Sequence, residues 1–587
     1  MNYLAGLPRF VFFTGKGGVG KTSIACATAV DLVEQGRRVL LVSTDPASNV
    51  GQVFGQSIGN HIAPVAAVPG LDALEIDPEQ AAAEYRERTL APVRDLLSAA
   101  DLASVTEQLS GACTTEIASF NEFTDLLTDS ATTRGYDHVI FDTAPTGHTI
   151  RLLQLPGEWT RFIDDGKGDA SCLGPMSGLE KARTTYAQAL AALADPTRTR
   201  LVLVARAQTG ALTEAARTVA ELADAGVRAT HLVINAVLPA DSDHDPLAEA
   251  IRGRESAALA ALAPQLAALT TDLVALRGVD MVGVPALRSL LHVENDAPAP
   301  GGDGVGATDA LLPDLDSLID ALAEQDHGLV MCMGKGGVGK TTIATAIARG
   351  LVARGKDVHL TTTDPAAHLD PSLAAEGMKV SAISPAQATA EYRDHVMATK
   401  GATLDADGRA ALAEDLRSPC TEEVAVFQAF SRAVADARRR FVIMDTAPTG
   451  HTLLLMDATG SYHNEIARNM APGAHFTTPM MRLQDPDYTK VIIITLAETT
   501  PILEAEQLQA DLERAQIHPW AWVVNQTLTG APTANPLLRQ RQAAEHGPLE
   551  AIRRESVRAV QVPLTYGKQG APDAPSPATP VGAPALH

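Results

Sequence analysis

The stretch Gly15–Thr22 reads GKGGVGKT, and the same eight letters return at Gly334–Thr341. Gly15, Gly17, Gly18 and Gly20 leave backbone N–H groups open to wrap a chain of phosphates. The helix expected to follow points its positive end at them. Lys21 is then placed for the β- and γ-phosphates and Thr22 for Mg²⁺, with Val19 and Ser23 lining the same turn. The second loop repeats every part: Gly334, Gly336, Gly337, Val338, Gly339, Lys340, Thr341 and Thr342. Apolar runs precede both loops and amphipathic stretches follow them. That is the strand–loop–helix context a phosphate-binding loop requires.

Two further segments repeat in the same order. Ser43–Ala47 (STDPA) returns in the run TTTDPAA around Asp364, and Asp142–Thr149 (DTAPTGHT) is identical to Asp445–Thr452. Three matches in register mean duplication. We therefore expect two tandem P-loop NTPase domains of α/β class, related by a pseudo-two-fold axis. Each has a mostly parallel sheet with helices on both faces and a helical insert. The first domain is placed at 1–294, a Pro/Gly-rich linker region at 295–326, the second domain at 327–569 and a disordered Pro/Ala-rich tail at 570–587. Strands are expected at Arg9–Thr14, Val39–Ser43, His138–Phe141, Leu201–Ala205 and His231–Asn235. In the second half they fall at Leu329–Met333, Val358–Thr362, Phe441–Met444, Val491–Leu496 and Ala521–Asn525.

Asp142 and Asp445 end apolar strands, where a carboxylate holds Mg²⁺ directly or through water. Asp45 and Asp364 also follow strands. They are candidates to orient the attacking water, to order Mg²⁺, or simply to cap a helix. No NKxD stands in the chain, and Asn235 and Asn525 at strand ends could meet an adenine edge. ATP is therefore the expected nucleotide.

With 47 Lys and Arg against 70 Asp and Glu, the net charge is −23, which disfavours a nucleic-acid partner. No apolar run approaches the ~20 residues of a membrane span, and the first residues lack a signal-peptide pattern. Direct membrane insertion is not expected, and the compartment is expected to be the cytoplasm. The five cysteines contain no CxxC. Cys26 and Cys332 sit in apolar runs and read as core residues. Cys113 and Cys420 match in the repeat (CTTEIASF and CTEEVAVF), each at the start of an amphipathic stretch. Cys172 lies in a Gly/Ser/Asp-rich loop of the first half only.

The extra lysines Lys16 and Lys335 make both loops resemble the deviant Walker A class. The duplicated DTAPTGHT and the cysteine placement resemble the arsenical pump-driving ATPase (ArsA) family from Phe10 to about Tyr566. The resemblance implies that Lys16 serves the second half's ATP and Lys335 the first's, in a monomeric pseudo-dimer. It implies that Cys113, Cys172 and Cys420 bind As(III) or Sb(III) and stimulate ATP hydrolysis. His148 and His451 would relay nucleotide state, add a ligand, or serve structure alone. It also implies a membrane arsenite permease and an arsenite metallochaperone as partners, with the chain held peripherally at the inner membrane. A tail-anchored-protein targeting factor is a related alternative. Its adaptable groove would want methionine, and the insert between Asp45 and Asp142 has none. A Par- or Min-type ATPase is disfavoured by the charge and by a C-terminal run that cannot form an amphipathic helix.

Overall fold

The structure is a computed structural model of the chain. It describes residues 1–45, 50–91, 94, 112–128, 132–143, 185, 187–224, 226–240, 244–292, 312–364, 369–416, 419–447, 478–556 and 558–565. Two compact units divide near Gly301.

In the first unit the described strands are β1 (Phe10–Thr14), β2 (Val39–Ser43), β3 (Ala63–Pro64), β4 (Leu71–Glu75), β5 (His138–Asp142), β6 (Thr199–Arg206), β7 (Ala229–Val237) and β8 (Thr270–Ala275). They form one sheet in the order β3-β4-β2-β5-β1-β6-β7-β8. Every pairing is parallel except β3 with β4. The second unit has β9 (Gly328–Met333), β10 (Val358–Thr362), β11 (Lys379–Ala382), β12 (Phe441–Asp445), β13 (Thr489–Leu496), β14 (Pro519–Thr527) and β15 (Ala559–Pro563). Its order is β11-β10-β12-β9-β13-β14-β15, parallel throughout. Parallel strands need crossovers that cover both faces, so the central strands are buried on both sides. In β1, Phe13 packs with Ile24 and Leu41 on one face, while Phe12 packs with Phe123 and Phe141 on the other. The Phe12 and Phe141 rings stack 4.4 Å apart, and Phe123 stands edge-on to both.

The strands at the margins of the sheets, β3 and β4, β8, β11 and β15, were not expected from the sequence. They mix polar residues into short runs, as in TTDLVA, because one side of an edge strand meets solvent. The second unit also reaches back into the stretch 295–326 expected as linker. Asp314 caps a helix at Leu315–Ala323, and Leu315, Leu318, Ile319 and Leu322 are buried on its inner face.

Each unit carries helices between the strand leading to its Asp-Pro segment and the strand ending in aspartate, as expected. Helix Pro78–Leu90 packs on helix Ala112–Leu127, and helix Pro385–Thr399 packs on helix Pro419–Asp436. Asp77 and Ser384 cap the first helix of each pair, with proline in the first turn.

Candidate functional site

Both glycine loops leave the carboxyl ends of central strands, β1 and β9, and run into helices Lys21–Glu34 and Lys340–Ala353. That edge of an open parallel sheet is where crossovers part and a ligand can enter. Glycine is enforced there by space and by backbone angle. A Cβ on Gly15 would lie 2.1 Å from the Val204 carbonyl oxygen, and one on Gly20, at φ +90°, would lie 2.2 Å from Asn235 Nδ2. The second loop reproduces both approaches, at 2.3 Å from Ile494 O for Gly334 and 2.2 Å from Asn525 Nδ2 for Gly339. No side chain can stand where the loop closes against the sheet.

The lysines inside the loops are buried and turned onto their own turns. Lys21 Nζ donates to Lys16 O at 3.2 Å, and Lys340 Nζ donates to Lys335 O at 3.0 Å. A phosphate entering the loop meets that ammonium at once. Next to it, Thr22 Oγ1 donates to Asp142 Oδ2 at 2.7 Å, and Thr341 Oγ1 to Asp445 Oδ2 at 2.6 Å. Thr362 Oγ1 adds a 3.3 Å bond to Asp445. Burial raises the Asp445 carboxyl above its ordinary range, more than the Thr341 hydrogen bond and the Lys340 charge offset, and nearby Asp364 pushes the same way. Asp445 Oδ1 is buried without a hydrogen bond. A buried carboxylate oxygen of that kind beside a hydroxyl is a hard-oxygen donor set suited to Mg²⁺, so the residues present fit the ion.

Asp45 and Asp364 follow β2 and β10, half-buried at the same edge. Their segments are tied to the neighbouring carboxylates through the main chain: Thr44 N donates to Asp142 O and Thr363 N to Asp445 O, both at 2.9 Å. Asp45 N and Asp364 N bond back to Ser43 Oγ and Thr362 Oγ1. Two aspartates on adjacent strand ends thus share one corner of the loop in each unit.

Several contributors were not legible in the sequence. Thr143 Oγ1 donates to Phe13 O and Thr446 Oγ1 to Cys332 O, each at 2.8 Å, fastening the DTA turn to the strand that enters the glycine loop. Their duplication within DTAPTGHT was the one available signal. Asn235 Nδ2 donates to Val19 O and Asn525 Nδ2 to Val338 O, both at 2.9 Å. Both asparagines therefore brace the phosphate loop with one N–H. An adenine contact would draw on the other N–H and the carbonyl oxygen. The next residues, Ala236 and Gln526, take left-handed φ values of 57° and 56°. Carboxylates hold the loop beyond: half-buried Glu255 accepts from Leu238 N, and buried Glu545 accepts from Leu528 N at 2.8 Å and Thr529 N at 2.7 Å. Burial pushes both glutamates up.

Cys26 and Cys332 are fully buried, and burial pushes both thiols up, as inert core residues require. Cys113 and Cys420 are each the second residue of a helix, Ala112–Leu127 and Pro419–Asp436. Their side chains, and all of Cys172, His148 and His451, lie outside the described residues. Among the described residues no helix is long and apolar enough to cross a membrane.

A glycine cradle at a strand's carboxyl end, with a hydroxyl–carboxylate pair beside it, defines a P-loop nucleotide hydrolase, and this chain carries two. The sequence profile of the anion-transporting ATPase (ArsA) family matches residues 8–293, 327–482 and 459–568. The chain belongs to that family and is an ATP hydrolase. It is 59 % identical over 559 residues to the Arsenical pump-driving ATPase of Acidiphilium multivorum, covering 94 % of this chain and 96 % of that one. It is 58 % identical to a protein of the same name from Escherichia coli, covering 96 % and 97 %. The Putative arsenical pump-driving ATPase of Halobacterium salinarum is 34 % identical, covering 92 % and 89 %.

Proposed function

We propose that this chain is the ATPase motor of an arsenite or antimonite efflux pump, with As(III) or Sb(III) bound by Cys113, Cys172 and Cys420 between the two halves. What carries the reading is the cysteine pair at the second residue of matching helices, in a chain that aligns nearly end to end with relatives named for driving an arsenical pump. A helix N-terminus favours the thiolate, and thiolates are the ligands that select soft ions.

In this reading the loop amides from Gly15 to Gly20 and from Gly334 to Gly339 hold the phosphates of two ATP molecules, with Val19, Ser23, Val338 and Thr342 completing the turns. Lys21 and Lys340 leave their carbonyls for the β- and γ-phosphates. Thr22, Asp142, Thr341 and Asp445 would hold Mg²⁺, directly or through water, with Asp45 and Asp364 nearby. That ion would offset the charge on the β- and γ-oxygens. Asp45 and Asp364 orient the water that attacks the γ-phosphorus, and Asn235 and Asn525 read adenine. Lys16 reaches the second half's nucleotide and Lys335 the first's. Because the metalloid bonds both halves at once, it favours their closed arrangement by its differential affinity for it. His148 and His451 each follow the strand-end aspartate, Asp142 or Asp445, within the same DTAPTGHT segment, and pass nucleotide state, or add a ligand.

The work goes to a membrane arsenite permease on the cytoplasmic face, with arsenite delivered by a metallochaperone. The chain acts there as a monomeric pseudo-dimer. The test is ATP hydrolysis with and without arsenite, on wild type and on Cys113→Ser, Cys172→Ser, Cys420→Ser and Cys26→Ser. Stimulation lost in the first three and kept in the fourth supports the reading. Hydrolysis indifferent to arsenite in the wild type refutes it.

A further inference from the structure

The two halves repeat the phosphate loop letter for letter, but they do not treat the second lysine of that loop alike. Lys335 Nζ meets Glu504 Oε1 at 2.5 Å, with only 14 % and 12 % of the two side chains exposed. Glu504 is the sixth residue of helix Thr499–Arg514, which packs on β13, the neighbour of β9. The corresponding helix of the first half is Thr209–Asp224, and its sixth residue is Glu214. There, Glu214 Oε1 accepts from Arg217 Nη2 at 2.8 Å. Among the described residues Lys16 forms no ion pair. The position of Arg217 is taken in the second half by Gln507, which bonds onward to Asp511 at 2.9 Å. The two helices agree at only five of sixteen positions, but both keep the glutamate, and the exchange of Arg217 for Gln507 coincides with its engagement by an arginine in one half and by the loop lysine in the other.

An ion pair so little exposed is weakly screened by water and salt, so it holds its lysine more firmly than a surface pair does. We propose that Glu504 is a positioning residue that keeps Lys335 within its own half until the chain closes on nucleotide. Arg217 spares Lys16 the same restraint. This rests on the reading above, in which Lys335 serves the ATP of the first half. The consequence is an unequal start. The lysine that must cross toward the first half's ATP has to leave a carboxylate, and the lysine that crosses the other way does not.

The test is arsenite-free MgATP hydrolysis by the full chain, with kcat and KM resolved. Glu504→Gln is expected to raise kcat about fivefold with KM nearly unchanged, the scale of one lost, partly buried ion pair. Glu504→Asp should restore the wild-type rate in part. Gln507→Arg keeps Glu504 but supplies it with the arginine of the first half, and should move kcat in the same direction. In a Lys335→Ala background neither change should have any effect, a dependence that a merely structural role of Glu504 would not produce. A rise with Gln507→Arg alone still supports the proposal, because that variant retains the glutamate. No rise in either variant, with Lys335→Ala itself inactive, overturns the restraint and leaves the crossing lysine standing. Full activity of Lys335→Ala overturns the crossing lysine and the restraint together.

Discussion

Substituting Gly20 by alanine tests whether the glycine loop and Asn235 are one mechanical unit. The added Cβ would lie 2.2 Å from Asn235 Nδ2, well inside any real contact, so the asparagine must swing away and surrender its 2.9 Å bond to Val19 O. The backbone adds a second cost, because φ +90° is a conformation that L-residues adopt at about 1–2 kcal/mol. A lost hydrogen bond adds about 0.5–1.5 kcal/mol. Together the change destabilises the first unit by about 2–3 kcal/mol, or ~5–10 °C in its melting temperature. Asn235→Ala alone loses the bond without the backbone cost. In the double variant the bond is lost once rather than twice, so the cycle should show a coupling of about 1 kcal/mol between residues 215 positions apart in the sequence (235 − 20). Calorimetric melting of the four chains, with ATP affinity measured alongside, gives the answer. Strict additivity, or a Gly20→Ala chain that melts with the wild type, would refute the claim that the loop is closed against Asn235.

Other outcomes follow from the same geometry. Because burial raises Asp445 above its ordinary 3.8, the folded state keeps that proton to higher pH than the unfolded chain. Without Mg²⁺ the second unit should therefore lose stability as pH climbs upward from 3.8, and Asp445→Asn should flatten that stretch of a melting-temperature profile. Glu545→Gln leaves one of two buried N–H groups poorly satisfied and should cost about 1–3 kcal/mol by urea unfolding, with weaker ATP binding in the second half. Phe123→Ala removes a ring that stands edge-on to Phe12 and Phe141, and should cost about 3–5 kcal/mol in the same assay. Cys26 and Cys332 should resist a maleimide in the native chain and react fully in urea, as counted by intact mass.

The parts of this fold that the sequence announced are those whose chemistry is local. Gly15 and Gly20 follow from a loop that must present its backbone, and Asp142 from a carboxylate that must end a buried strand. Cys26 could be assigned to the core because it sits in an unbroken apolar helix. Edge strands such as β8 escaped because Leu273 faces solvent and Asp272 faces inward, the reverse of the pattern a buried run displays. The helix Leu315–Ala323 escaped because the glycines and prolines before it read as linker. Glu504 and Glu545 escaped for a deeper reason. A carboxylate that grips a lysine 169 residues away leaves no mark on its own neighbours in the sequence. The repeat could have flagged the difference between Arg217 and Gln507, but not what either one touches.

Each unit fastens its beginning to its last strand. Asp272 in β8 accepts from the main-chain N–H groups of Asn2 and Tyr3 at 2.7 and 2.9 Å. In the second unit Gln561 in β15 accepts from Leu312 N at 3.0 Å and donates its own main-chain N–H to Pro313 O at 2.9 Å. Neither clasp can close until the ribosome has made nearly the whole unit. The first can be shut while the second is still being synthesised, so the nascent chain presents one finished half before the other begins. The same closure brings each half's entry and exit to one edge of its sheet. A segment built that way can be joined end to end with a second copy without disturbing its interior.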